Sequence, residues 1–99
     1  MTHHDWVPER AIGVYTRRSA TGLLIETYHD GYELNESGAF IWSMVGGGAS
    51  SAHMAKCVAE RYELGPEEAS DAVHTFLAVL RERGFLAGQS SGAPDWEKV

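Results

Sequence analysis

The stretch Gly31-Tyr32-Glu33-Leu34-Asn35-Glu36-Ser37-Gly38-Ala39-Phe40-Ile41-Trp42 decides the fold, because a strand pattern turns into a helix pattern inside it. Tyr32-Glu33-Leu34 alternates in the period-2 manner of a short strand, and Asn35 follows as a residue whose side-chain oxygen caps a helix. Ala39, Phe40, Ile41, Trp42, Met44 and Val45 then cover most of a helix circumference with apolar groups, which puts that helix at the centre of the molecule. With a helix following at once, the short strand leaves at least one sheet edge open.

Outward from this junction the remaining elements are well punctuated. His29-Asp30-Gly31 reads as a tight turn, since Asp-Gly tolerates the positive φ that hairpins need, and residues 23–28 form the strand before it. Ser19-Ala20-Thr21-Gly22 is another turn, with a first strand over residues 12–18. Beyond the central helix, Gly46-Gly47-Gly48 breaks the chain, and Ser50 or Ser51 caps a helix in which Ala55, Val58, Ala59 and Tyr62 share one face. Gly65 is expected to stop that helix. Pro66 opens the next, with Glu67 and Glu68 complementing its N-terminal dipole. Ala69, Val73, Phe76, Leu77 and Leu80 line its apolar face, and Gly84 ends it before Phe85-Leu86.

The fold class is therefore α+β: an N-terminal three-stranded antiparallel meander followed by a three-helix bundle, an order that would also permit a winged helix-turn-helix. Residues 11–87 are expected to form the domain. Residues 1–10, polar apart from Trp6 and Val7 and interrupted by Pro8, read as a flexible arm, and residues 88–99 as a flexible tail.

Composition narrows the role. The 99 residues carry a formal net charge of −6, with Arg17-Arg18 and the Arg81/Arg83 pair as the gatherings of positive charge. Nucleic-acid affinity comes mainly from Lys and Arg neutralising phosphates, so a nucleic-acid partner is not expected. Cys57 is the single cysteine, which leaves no internal disulfide and suits a reducing cytoplasm. The N-terminus lacks a signal pattern and no apolar run reaches membrane-spanning length, so no membrane association is expected.

No catalytic constellation emerges. His53 and Cys57 stand four apart on one helix face, but two donors are not a metal site, and the flanking Ala55-Lys56-Cys57-Val58 offers nothing to activate a thiol. Gly46-Gly47-Gly48 follows a helix instead of a strand and lacks the Lys-Ser/Thr of a phosphate loop. Glu67, Glu68 and Asp71 are explained by a helix N-terminus. No metal or cofactor is expected, and a binding role is favoured over an enzyme.

Residues 31–42, with Arg61-Tyr62 near a helix end, an acidic helix start and a closing Gly84-Phe85-Leu86, resemble the PqqD-like family over about residues 11–87. The resemblance implies a winged helix-turn-helix-like recognition element that binds the leader segment of a ribosomally made precursor peptide and presents it to a maturation enzyme. Read as a free-standing domain, the chain resembles the discrete recognition proteins of lasso-peptide clusters, which partner a separate leader peptidase, and that of the pyrroloquinoline quinone pathway, which partners a radical enzyme; the lasso arrangement is preferred. The implied mode is addition of the peptide to the third strand, in a groove between that strand and the third helix.

The matching positions are Tyr32, Glu33 and Leu34 on the strand, and Val73, His74, Leu77 and Arg81 on the helix. Leu34, Val73 and Leu77 serve equally well as core residues. Arg81 is either a partner for acidic leader residues or a companion of the helix C-terminal dipole. Strand addition also implies that Tyr32→Pro costs peptide binding more than fold, and that a second copy competes for the edge as a homodimer. The rival reading from element order alone is a winged helix-turn-helix DNA-binding regulator.

Overall fold

The computed structural model describes residues 5–20, 22–28 and 30–87. Strands β1 (Tyr15–Arg18), β2 (Leu23–Glu26) and β3 (Gly31–Leu34) are followed by helices α1 (Glu36–Trp42), α2 (Ser51–Tyr62) and α3 (Pro66–Glu82). The observed architecture is thus the expected α+β order, meander first and helices after. The tail expected over residues 88–99 lies outside the described residues.

The sheet is antiparallel with order β1-β2-β3, so β1 and β3 are its edges. The first turn closes where Ser19 N–H donates to Gly22 O at 2.8 Å, and the second where Thr27 N–H donates to Asp30 O at 2.8 Å. Gly22 is required by close approach: a Cβ there would stand 2.4 Å from the Leu34 carbonyl oxygen. Alternation places Ile25, Leu34 and half-buried Tyr32 on the face toward the helices. β1 starts later than read from sequence, because Ile12 and Gly13 form a turn with Gly13 at φ +89 and the Ile12 side chain wholly exposed.

Asn35 caps α1 as expected, its Oδ1 accepting the Gly38 N–H at 2.8 Å. The helix stops at Trp42. Met44 and Val45 N–H then donate to Ile41 O and Trp42 O at 3.0 Å, a tighter winding that still delivers Val45 into the core. Ser50 is the cap of α2, accepting the His53 N–H at 3.1 Å. Gly65 does not end α2. Glu63 does so in the left-handed region at φ 56, and Gly65 is instead the extended N-cap of α3, as the residue before Pro66 must be extended.

Trp42, Phe85, Ile25, Leu34, Met54, Leu77, Leu80 and Val73 are the large, fully buried side chains around which the helices and the sheet close. Burying an aliphatic or phenyl side chain of this kind contributes on the order of 1.5–3 kcal/mol.

The arm is a correction. Residues 5–10 were expected to be loose; they are instead strapped across the helices. Trp6 N–H donates to Ser51 Oγ at 3.1 Å, and Ser51 N–H returns a bond to Trp6 O at 2.7 Å. Gly46 N–H reaches Pro8 O at 3.3 Å, Ala87 N–H reaches Glu9 O at 2.8 Å, and Arg10 bridges Leu86 in antiparallel fashion. Pro8 is buried among them, a position that suits a residue with no N–H to satisfy.

Asp5 anchors the strap as a second cap on α2. Its Oδ1 accepts from Ala52 N–H at 2.9 Å and from the buried Ser51 Oγ at 3.0 Å, and the Ala52 bond, then that of Ser51, holds the carboxyl below its ordinary value of 3.8. A carboxylate with a depressed folded-state pKa stabilises fully above its ordinary value and loses that contribution as the pH falls through the depressed one. Hydrogen exchange at the Ser51 and Ala52 amides is therefore expected to accelerate, relative to the other α2 amides, as the pH drops below 3.8. In Asp5→Asn that pH dependence is expected to vanish.

Candidate functional site

The pairing phase of the second hairpin determines what β3 offers. Thr27 and Asp30 form the hydrogen-bonded pair at the turn, and such pairs alternate along an antiparallel ladder. Tyr32 and Leu34 therefore direct their backbone groups to β2, whereas Gly31 and Glu33 direct theirs to the outer edge. The Gly31 carbonyl confirms the phase by accepting Arg83 Nη2 at 3.1 Å.

α3 runs beside that edge and presents distinct stripes, as side chains about 100° apart must. Ala69, Val73, Leu77 and Leu80 point inward and are each 0% exposed. Ala72, Phe76 and Arg83 lie on the flank facing β3, where Phe76 Cε1 comes within 3.3 Å of the space above the Gly38 Cα. Ser70, His74 and Arg81 lie on the opposite flank. His74 Nδ1–H donates to Ser70 O at 2.9 Å, and the Arg81 guanidinium is 5.9 Å from the Trp6 ring centroid.

Between β3 and the Ala72/Phe76 stripe is an open groove of about 510 Å³. Leu34, Ile41 and Val58 form its apolar floor, and Tyr62, the last residue of α2, and Leu64 just past it complete the lining. Gly38 keeps the floor open, since a Cβ there would stand 3.2 Å from Asn35 Oδ1 and 3.3 Å from Phe76. At the Gly31 end, Arg83 makes a bidentate pair with Asp30, Nε to Oδ2 at 2.8 Å and Nη2 to Oδ1 at 2.9 Å, and lies 4.5 Å over the Tyr32 ring. The Arg83 bonds hold the Asp30 carboxyl below the usual carboxylate range.

The groove thus assembles Tyr32, Glu33 and Leu34 from the set expected from sequence. It does not bring in the others. Val73 and Leu77 belong to the core side of the helix, and His74 and Arg81 to the flank under the arm. Ala72 and Phe76, which line the groove, and Arg83, at the Gly31 end of β3, were not in the expected set. Their signal was present as helix spacing, because each stands an integral number of turns from the next, but nothing in the spacing says which flank of the apolar stripe meets the sheet.

His53 Nε2 and Cys57 Sγ are 3.5 Å apart on the exposed side of α2. Among the described residues no group of three or more His, Cys, Asp or Glu side chains is placed to hold a metal ion, and no helix is long and apolar enough to cross a membrane.

Fold and groove together define a class: a small meander-plus-three-helix domain whose outer strand faces an amphipathic helix across an open apolar channel. The family model described as coenzyme PQQ synthesis protein D (PqqD) matches residues 21–86. The chain belongs to the PqqD family. No curated protein matches the sequence. Among solved structures, it is similar to a chain described as "Lasso peptide synthetase B1 complexed with the leader peptide", with a TM-score of 0.76 at 18% identity, over 83% of this chain and 99% of that one. At that identity the likeness is one of fold.

Proposed function

We propose that this protein is a non-catalytic recognition element that binds the leader segment of a ribosomally synthesised precursor peptide and delivers it to a maturation enzyme. The observation that carries the reading is β3, an edge strand directing Glu33 outward beside an apolar groove lined by Leu34, Phe76 and Ala72. An extended peptide added to such an edge draws affinity from main-chain bonds and specificity from alternate side chains entering the groove. Family membership and the fold shared with a leader-bound lasso synthetase component support the same ligand class. The preferred pathway is lasso-peptide biosynthesis with a leader peptidase as partner, and the setting is the cytoplasm.

The DNA-binding alternative gains no support from the charge distribution. Arg17 is paired with Glu26, Arg61 with Glu36 and Arg83 with Asp30, which leaves little basic surface for phosphates on a chain of net charge −6. Homodimerisation through β3 would occupy the edge that the peptide needs, and would show as concentration-dependent sizing that the peptide reverses.

The test is calorimetric titration with a panel of synthetic leader segments from lasso-type and PQQ-type precursors, each beside its scrambled counterpart. At least one leader is expected to bind about tenfold or more tighter than its scramble, a difference of about 1.4 kcal/mol. Equal affinity for every leader and its scramble would remove the reading.

A further inference from the structure

The Gly31 end of the β3 edge is already occupied by the protein itself. Both outward backbone groups of Gly31 are engaged: its N–H donates to Asp30 Oδ1 at 2.8 Å, and its carbonyl accepts from Arg83 Nη2 at 3.1 Å. Arg83 is held there by its bidentate pair with Asp30 and by the Tyr32 ring beneath it, and neither charged side chain is more than 36% exposed. A planar guanidinium fits this task because one fork serves a carboxylate while a remaining donor reaches a carbonyl.

We infer that the Arg83–Asp30 pair is a register stop: it seals Gly31 against strand addition, so that an incoming extended peptide pairs only at the Leu34 end of β3, where Glu33 directs its backbone outward. The inference rests on the proposed leader binding and adds a specificity-determining residue to it. A strand slipped by one residue would present the wrong side chains to the groove. A slip by two would keep the faces but move every side chain along the channel, and a ladder carried past Glu33 to Gly31 in any such register is what the stop prevents. The carbonyl that such a ladder would need already accepts from a charged donor, and the Gly31 N–H is spent on Asp30.

A backbone N-methyl scan tests the idea, using the tightest-binding leader of the panel as probe. Each N-methyl group deletes one peptide donor, and donors to a given strand recur at every second residue. For the wild-type protein, a single position is expected to be sensitive at β3, the donor to Glu33 O, weakening binding about 2- to 10-fold, the value of one hydrogen bond. In Arg83→Met, which retains a flexible chain over Tyr32 but no donor, a second sensitive position is expected two residues along the peptide, of similar size.

Because each comparison is made within one variant, a general loss of affinity from the missing charge cancels. If Arg83→Met fails to melt cooperatively, the wild-type protein still decides: on saturation with the leader, the Glu33 amide is expected to gain protection from hydrogen exchange while the Gly31 amide does not change. Identical scans for wild type and variant, or equal gains at Gly31 and Glu33, overturn the register stop and leave leader binding intact. Absence of binding by any leader overturns both.

Discussion

Trp42→Ala is expected to cost about 3–5 kcal/mol of unfolding free energy, the range for truncating a core aromatic. The ring is 1% exposed and lies where the sheet, the central helix and the arm meet. Its Nε1–H donates to Thr16 Oγ1 at 3.3 Å on β1, and the Arg10 guanidinium lies 4.4 Å over its face while Arg10 Nη2 donates to the Trp42 carbonyl at 2.8 Å. One side chain therefore joins a strand whose four residues are all exposed to the arm residue Arg10.

Against a total stability of roughly 5–15 kcal/mol for a domain, such a loss is expected to leave a large unfolded fraction. Denaturant melts followed by circular dichroism measure it. Trp42→Phe separates the contributions: it retains most of the buried ring but loses the Thr16 bond, and is expected to cost only about 1–2 kcal/mol. If Trp42→Ala melted within about 1 kcal/mol of the parent protein, far below the range for a core aromatic, Trp42 would not be the keystone that its burial indicates.

Local chemistry accounts for what could be read without coordinates. Asn35 is a cap in both readings, Ser50 is one of the two serines expected to cap α2, and Pro66 opens α3 in both, because a side-chain acceptor or a fixed φ acts within a turn of its own position. Gly65 shows the limit of that logic. Glycine suits a helix stop and an extended N-cap alike, and the choice fell to Glu63, whose strained φ is offset by the bonds that close the end of α2. The arm was misread for a related reason. Asp5, Trp6 and Pro8 look like terminal solvent-facing residues until Ser51 and Gly46 supply partners more than thirty residues away.

The candidate groove was half readable. Tyr32, Glu33 and Leu34 follow from the hairpin and the short third strand, which are local features. The helix wall is not local. Periodicity identifies Ala69, Val73, Phe76, Leu77 and Leu80 as the apolar stripe, and the structure places all of these but Phe76 in the core instead of the channel. Whether the groove is walled by the Ala72/Phe76 flank, with Arg83 beyond its end, or by the His74/Arg81 flank depends on how α3 is rotated against the sheet, a property of tertiary packing. Arg81 and Arg83 are interchangeable in composition; only the second reaches Asp30.

Proline substitution on β3 is expected to separate fold from binding sharply, but at a different residue from the one first expected. The Tyr32 N–H faces β2, so Tyr32→Pro breaks the ladder and also removes the ring that stacks on Phe85 at 6.3 Å and supports Arg83. A cost of about 3 kcal/mol or more to stability is expected, with binding lost as a consequence. At Glu33 the N–H faces the outer edge, where a strand tolerates proline. Glu33→Pro is expected to melt within about 1 kcal/mol of the parent, the scale of one hydrogen bond, while leader affinity falls about tenfold or more, because the ring removes a donor and obstructs the approaching strand. Glu33→Ala supplies the control, since it deletes the carboxylate that accepts from Ser19 Oγ at 2.8 Å but keeps the backbone donor. Retained binding in Glu33→Ala with loss in Glu33→Pro assigns recognition to the backbone of the edge; full binding by Glu33→Pro would mean that the peptide enters the groove without joining the sheet.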